Sequence, residues 1–533
     1  MNVLLVFPNV FINLNEPTHF PVGIACVSSY LKSKGHSVFT LNLNFEEGDT
    51  KDILEKKIKE DNIRVVETGS LVTHYHFVKE ILDCVKEVDG SIVTVLGGGI
   101  MTSAPEVIMK GVSSIDFGII GEGEITNHEF LLELCKPTPN FDNVDGLIYR
   151  KSGKLVRTKA RKEIGDLSDM PWPDYEGFAL DKLLEVAPKR YVTMSTGRSC
   201  VYNCTFCFHT SGKIYRQRQL DDFFRELEYL VQKYQIDNIY ITDELFASDT
   251  QRLYEFCDKI RSCNILWAVQ MRVDMVTKEL LIKLKESGCI ILSLGLESAD
   301  DRVLKSMNKQ TTASQMDAAL KCCAEVGITA RGAFIFGDIN ETMETVDTTL
   351  AYWNKNREYN IQLNFIQVFP GTALYRYALS KGIITDEPKF IEDGCPYINV
   401  SKLTDEEYKN LALKIDEMQS DGAHALADVT VLKRDKKRLR MDVSGKCETC
   451  NSLNNLKNIA MAIVTNAKCA SCAQAYSINP FELFKSEAKQ YLNESLRDSK
   501  KTAFWEFAML LTRCMNCYHR KTRKNHILLI LPI

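Results

Sequence analysis

Hydrophobic and polar positions along this chain follow two rhythms. Short apolar runs at Val3–Phe7, Ser37–Leu43, Arg64–Glu67, Ile92–Leu96 and Phe117–Ile120 read as strands. Between them apolar residues recur at helical spacing, as in Val22–Lys34, which ends at Gly35. Alternating strands and helices predict an α/β fold, with a doubly wound, Rossmann-like parallel sheet over residues 1–136. A ligand of such a sheet sits at the carboxyl ends of its strands. Three loops fall there: Thr68–Thr73, Gly97–Gly99 and Gly121–Glu124.

From 137 to 190 the rhythm breaks at Pro137, Pro139, Pro171, Pro173 and Pro188, and Gly146–Thr158 reads as a hairpin around Ser152-Gly153. This stretch is expected to be a linker with a little structure of its own. The alternation resumes over 191–385. Its strands are Tyr191–Ser195, Asn238–Thr242, Ile265–Gln270, Ile290–Gly295, Thr329–Phe336 and Gln362–Val368. Helical stretches such as Asp221–Lys233, Thr277–Glu286 and Glu341–Asn356 intervene. Six strand–helix units predict a (βα)6 partial TIM-type barrel, whose C-terminal rim carries the chemistry. The region 386–533 reads as mainly α beyond Leu403, with one cysteine-rich metal knuckle.

Composition narrows the class. A chain of 533 residues is too long for one core. A net charge of −4 gives no reason to expect a nucleic-acid partner. The basic positions near the end (Arg513, Arg520, Lys521, Arg523, Lys524) read as a solvated tail. Met1–Phe7 lacks the positive flank of a signal peptide, and no apolar run approaches the roughly 18 residues that span a bilayer. A cytoplasmic protein without a membrane partner is expected.

Eighteen cysteines in a reducing compartment do not make a disulfide framework. Nine (Cys26, Cys84, Cys135, Cys257, Cys263, Cys289, Cys322, Cys323, Cys395) lie within apolar segments and read as small buried hydrophobes. The other nine are clustered. The densest group is Gly197-Arg-Ser-Cys200-Val-Tyr-Asn-Cys204-Thr-Phe-Cys207, directly after the first strand of the second domain. Three thiolates on one glycine-initiated loop can converge on an iron–sulfur cluster. Three ligands for four irons would leave one iron open. Three unrelated cysteines, or a zinc site completed by His209, are the alternatives, although the spacing is not the paired Cys-x2-Cys of structural zinc.

Cys-x3-Cys-x2-Cys with an aromatic before the last cysteine, after strand 1 of a (βα)6 barrel, resembles the radical SAM superfamily. That resemblance implies a [4Fe–4S] cluster on Cys200, Cys204 and Cys207, whose open iron binds S-adenosylmethionine (SAM) and whose reduction yields a 5′-deoxyadenosyl radical. It also implies cofactor contacts at the strand ends. Asp243 and Glu244 would meet the methionine amino group, and Gln270 and Arg272 would end strand 3, with Arg272 able to face a carboxylate or to pair with Asp274. Glu297 and Ser298 would bind ribose, Gly337 would let the backbone approach adenine, and Phe206 would lie beside that ring.

The N-terminal domain lacks the Gly-x-Gly-x-x-Gly dinucleotide fingerprint. Pro21-Val-Gly-Ile-Ala25 with Gly35-His36-Ser-Val38, Leu96-Gly97-Gly98 and Gly121–Glu124 instead resemble the cobalamin-binding domain that precedes the barrel in one radical SAM class. Thr73, Gly97, Gly98 and Glu122 are the candidate corrinoid contacts. None of the nine histidines follows the Asp-x-His-x-x-Gly pattern, so cobalt is not expected to take a histidine from that motif. A Rossmann-like scaffold that only packs on the barrel is the alternative.

Cys447-x2-Cys450 and Cys469-x2-Cys472 have zinc-ribbon spacing, with an auxiliary iron–sulfur cluster as the alternative. Cys514 and Cys517, with His519 nearby, stay unassigned. The expected function is a radical SAM enzyme, with cobalamin-dependent methyl transfer to an unactivated carbon or phosphorus centre foremost. Cyclisation or rearrangement in the same class comes next, then a non-catalytic iron–sulfur redox or sensor protein. The expected partners are a small, natural-product-like substrate and an electron donor such as a flavodoxin or ferredoxin.

Overall fold

A computed structural model describes residues 1–10, 20–186, 191–246, 248–357, 359, 361–420, 424–435, 440–460, 465–472 and 475–478. Cys514 and Cys517 lie outside the described residues. The first sheet contains β1 (Asn2–Phe7), β2 (Ser37–Asn42), β3 (Ile63–Gly69), β4 (Val93–Gly97), β5 (Phe117–Ile119), β6 (Leu147–Lys151) and β7 (Lys154–Arg157). Their order is β2-β1-β3-β4-β5-β6-β7, with β1 to β5 parallel. Val3, Leu4, Leu5 and Val6 are all buried, as expected of a strand covered by helices on both faces. The direction of strand ordering reverses between β1 and β3, which opens a crevice at their carboxyl ends.

The hairpin at Gly146–Thr158 is not isolated. β6 and β7 extend this sheet antiparallel, with Phe117 opposite Tyr149 and Gly118 opposite Ile148. Ser152 and Gly153 both take positive φ (51° and 76°), the turn that matches strand twist. Gly118 is required here, because a Cβ would lie 2.6 Å from both Ile148 Cγ2 and Met101 Sδ. Phe117, Phe130, Phe141 and Tyr149 then pack ring on ring, with centroids 4.6–5.7 Å apart.

The second sheet is the predicted partial barrel: β8 (Tyr191–Met194), β11 (Asn238–Ile241), β12 (Leu266–Arg272), β13 (Cys289–Glu297), β14 (Thr329–Phe336) and β15 (Ile361–Phe365), in the order β15-β14-β13-β12-β11-β8. Met194, Ile241, Val269 and Leu292 are successive partners on one face and are all buried. Between β8 and β11, the short strands β9 (Gly197–Arg198) and β10 (Arg216–Gln217) pair antiparallel. They close the loop that carries Cys200, Cys204 and Cys207.

The C-terminal region departs from the mainly helical expectation. After the helix Asp405–Ser420 come β16 (His424–Asp435), β17 (Arg440–Cys447), β18 (Leu453–Ala460), β19 (Thr465–Lys468) and β20 (Ala475–Ile478), which form one sheet in the order β18-β17-β16-β20-β19. Met441, Val443 and Cys447 are buried with intervening positions less so, a period of two that the charged run Lys433–Arg440 masks in sequence. The Rossmann-like sheet and the barrel form one compact unit, and this third sheet belongs to a second. Among the described residues no helix is long and apolar enough to cross a membrane.

Candidate functional site

The cysteine loop is built into the barrel at several points. Ser199, buried with φ 68°, donates from Oγ to Gly212 O over 2.7 Å. Thr205 N donates to Met307 O and Leu374 N to Thr205 O, each over 3.0 Å, and Asn308 Nδ2 donates to Asn203 O over 2.8 Å. Cys200 and Cys204 are half-buried and Cys207 is exposed. A hydrogen bond from Cys207 pulls the Cys204 thiol down to about 7, aided by the Lys309 ammonium. Burial pushes Cys200 up. A loop fixed by backbone bonds, with three sulfurs and a cation beside two of them, fits an anionic iron–sulfur cluster.

The strand-end candidates divide. Asp243 is buried and accepts from Ser195 Oγ (2.9 Å), Thr196 N (2.8 Å) and Thr196 Oγ1, so here it shapes the turn into the cysteine loop. Burial raises it to about 6. Glu244 points to the same loop, with Oε2 2.5 Å from His209 Nδ1, and this contact raises His209. Gln270 is exposed on the inner face of β12. Arg272 pairs with Asp274 at 2.9–3.3 Å and lies 3.6 Å from the ring of Tyr202, so it is already engaged. Glu297, at φ 60°, holds Lys309 Nζ at 2.5 Å. Gly295 makes room for the pair, because a Cβ would lie 2.6 Å from that ammonium. Ser298 is buried against Thr349 Oγ1 (3.2 Å) and Asp300 N (3.1 Å), away from the open interior. Gly337 has φ +107° and donates its N–H to Glu341, whose carboxyl burial raises to about 8. Phe206 packs partly buried against a core drawn from both sheets.

One cavity of about 500 Å³ spans the carboxyl ends of β1, β3, β4 and β5 and reaches β8 and the start of the cysteine loop. Gly97 and Gly98 line it, and Thr73 does not; Thr73 lies in the turn Val72–His74. Gly98 has φ +79°, and a Cβ there would meet Ser70 N at 3.0 Å. The glycines therefore let the β3 and β4 loops close on each other. Leu5, Val27, Gly123, Glu67 and Asn127 also line the cavity. Asn127 Nδ2 donates to Glu67, yet Glu67 Oε1 and Asn127 Oδ1 are buried without partners. Desolvation lifts Glu67 to about 7. Unsatisfied polar atoms among the lining residues fit a large ligand that carries polar groups, as a corrinoid does. No histidine lines the cavity among the described residues.

Glu122 lines the cavity but is committed elsewhere. It accepts from Arg198 Nη1 and Arg216 Nη1, each over 2.7 Å, while Glu124 accepts from Arg198 Nη2 over 2.7 Å. This network ties the loop after β5 to the ladder that closes the cysteine loop. Sequence reading missed Arg198, Arg216 and Lys309; no local pattern marks a cation whose partner lies 12 residues away, as for Lys309, or 74 to 94 away, as for the two arginines.

In the C-terminal sheet, Cys447, Cys450, Cys469 and Cys472 converge, with all four Sγ atoms within 4.8 Å of one another. Cys447 and Cys472 are 3.7 Å apart and Cys450 and Cys469 3.5 Å. Tetrahedral zinc with Zn–S near 2.3 Å sets sulfurs ~3.8 Å apart, so the four fit that ion. Ser452 Oγ (3.1 Å), Ser471 N (3.4 Å) and Asn454 Nδ2 (3.5 Å) surround Cys469 and hold its thiol down at about 5.

Comparison with known proteins agrees with this geometry. The family model of the radical SAM superfamily matches residues 194–352, and that of the B12 binding domain matches 10–131. An uncharacterised methyltransferase of Pyrococcus horikoshii is 28% identical over 393 residues, covering 72% of this chain and 84% of its own. The anaerobic magnesium-protoporphyrin IX monomethyl ester cyclase of Rubrivivax gelatinosus is 29% identical over 375 residues, covering 66% of each. Among solved structures, the radical SAM methyltransferase TsrM of Kitasatospora setae superposes with TM-score 0.61 at 19% identity, over 72% of this chain and 77% of that one. The cobalamin-dependent SAM radical enzyme OxsB gives 0.58 at 21%, over 82% and 63%.

Proposed function

We propose, from the premise that this chain belongs to the radical SAM superfamily in the class with an N-terminal B12-binding domain, that it transfers a methyl group to an unactivated carbon or phosphorus centre of a small molecule. The observation that carries this reading is the shared cavity. Gly97 and Gly98 of the B12-binding domain open onto the same space as Ser199, which precedes Cys200, and Glu244 of the barrel. When bound, the cluster and SAM supply a carbon radical, and the corrinoid supplies a transferable methyl group.

The chain's own part is to bind, orient and exclude water. Cys200, Cys204 and Cys207 are assigned as cluster ligands, with the Lys309 ammonium offsetting their negative charge. Glu244 and Gln270 reach the open side of the barrel and are the contacts proposed for SAM. Gly337 brings backbone rather than side chain to the rim, where an adenine ring would lie. Gly97 and Gly98 admit the corrin edge, and the Glu67–Asn127 pair would meet its tail. Asp243, Glu122 and Ser298 are proposed to position these groups rather than touch a cofactor. The four C-terminal cysteines are assigned to structural zinc. A flavodoxin or ferredoxin is the proposed electron donor, and the cytoplasm the proposed location.

Anaerobically reconstituted, reduced protein should form 5′-deoxyadenosine from SAM, and Cys204→Ala should not. Equal rates would remove the enzyme reading. The cyclase relative keeps oxidative ring closure as a second outcome of the same radical. S-adenosylhomocysteine formed alongside 5′-deoxyadenosine selects methyl transfer; its absence selects cyclisation.

A further inference from the structure

Partners across a parallel sheet face the same way, and successive residues face opposite ways. In the barrel Val269 and Leu292 pair on the helix side and are fully buried. The next rung, Gln270, Ser293 and Arg331 on β12, β13 and β14, therefore points inward. Tyr240, opposite Ala268, lies on that same face two residues lower. This rung is polar and open: Gln270 is exposed, and Ser293 and Arg331 are half-buried.

The cations near this interior are not equivalent. Arg272 has Asp274, and Lys309 has Glu297. Arg331 has no carboxylate partner among the described residues, and its Nε is buried without a hydrogen-bond acceptor. Burial draws its pKa down, with the Tyr240 phenol as the one group opposing that shift. A guanidinium stays charged in a protein and presents a planar fork of donors. Left unpaired in a partly desolvated site, it is costly, and a carboxylate or phosphate oxygen pair offsets that cost.

We propose that Arg331 anchors an anionic group of the substrate, a carboxylate or a phosph(on)ate, inside the barrel, with its register partner Ser293 as a flanking hydrogen-bond donor. This rests on the function proposed above and names the substrate class it requires. The carboxylate of SAM carries the same chemistry, so the experiment separates the two sources.

Full-length protein, reconstituted with iron and sulfide and saturated with SAM, is titrated with methylphosphonate, propionate and neutral propionamide by calorimetry, and SAM affinity is measured in parallel. Wild type should bind both anions and not propionamide. Arg331→Met should weaken anion binding at least about tenfold while leaving the SAM dissociation constant within twofold. Arg331→Lys, which keeps charge but loses the fork, should weaken methylphosphonate binding by about threefold or more and melt with wild type. If wild type ignores both anions, or the variants bind them as wild type does, the proposal is overturned. A loss of SAM affinity matching the loss of anion affinity overturns it too, because Arg331 then holds SAM. These readouts are equilibrium binding, so failure of SAM cleavage would count against the proposed activity and leave the anion result standing.

Discussion

Arg198 donates to Glu122 over 2.7 Å, joining the residue that opens the cysteine loop to the loop that follows β5. Both side chains are largely buried, and Arg216 completes the pairing from the other end of the same loop. Removing one partner strands a buried charge, which costs about 3 kcal/mol. Arg198→Met should therefore lower the urea midpoint by that equivalent and reduce iron retained per chain after reconstitution. Unchanged iron and unchanged stability together would show that the network does not position the loop.

Glu67 gives a pH dependence. Its carboxyl ionises at about 7 in the folded chain and at ~4.3 when unfolded, so between those values the folded state holds one more proton. Stability contributed by this group is full below ~4.3 and falls as pH rises toward 7, by about 1.4 kcal/mol per pH unit and of order 3 kcal/mol in all. Urea titrations at pH 5 and pH 8 should show that Glu67→Gln loses less stability than wild type over this interval. Parallel curves would place the ionisation elsewhere.

Gly98 tests the corrinoid cradle. A valine there would adopt an unfavourable positive φ, worth about 1 kcal/mol, and press on Ser70. Bound hydroxocobalamin, read from its visible absorption, should fall at least about tenfold in Gly98→Val. The fold should survive, as reported by circular dichroism.

Lys309 and Glu297 should behave as a unit. Lys309→Met or Glu297→Gln alone should destabilise by about 3 kcal/mol, and the double variant by less than the sum of the two. Lys309→Met should also make reduction of a cluster on Cys204 and Cys207 harder, because a nearby cation is gone. Potentiometry with EPR detection reads this directly; a potential that rises instead would contradict it.

The four-sulfur site predicts about one zinc per chain by elemental analysis. Cys450→Ser and Cys472→Ser should each lose that metal. Amide exchange in β17 and β18 should then accelerate, because Cys447 and Cys469 belong to that sheet's small core.

Much of this fold is legible in the chain for definite physical reasons. Strands buried on both faces print continuous apolar runs, and the three cysteines fall within eight residues, so sheet, barrel and loop all announce themselves locally. The C-terminal sheet did not, because Lys433–Arg440 carries a charge pattern that suits a helix as well as a hairpin. Pairing with Asp274 is one of the two readings the chain allows for Arg272, and the fold shows it, whereas nothing near Glu122 in sequence announces Arg198 and Arg216, which hold it. Arg331 carries no signal for a related reason: a lone arginine in a strand means little until the register shows which side it faces.

The two-residue pairing of Arg198 with Arg216 and Gly197 with Gln217 brings the two ends of the cysteine loop together. With those ends held by this ladder and by the Arg198 and Arg216 side chains, the chain entropy of closing the loop that carries Cys200, Cys204 and Cys207 is lost when the chain folds, ahead of any metal.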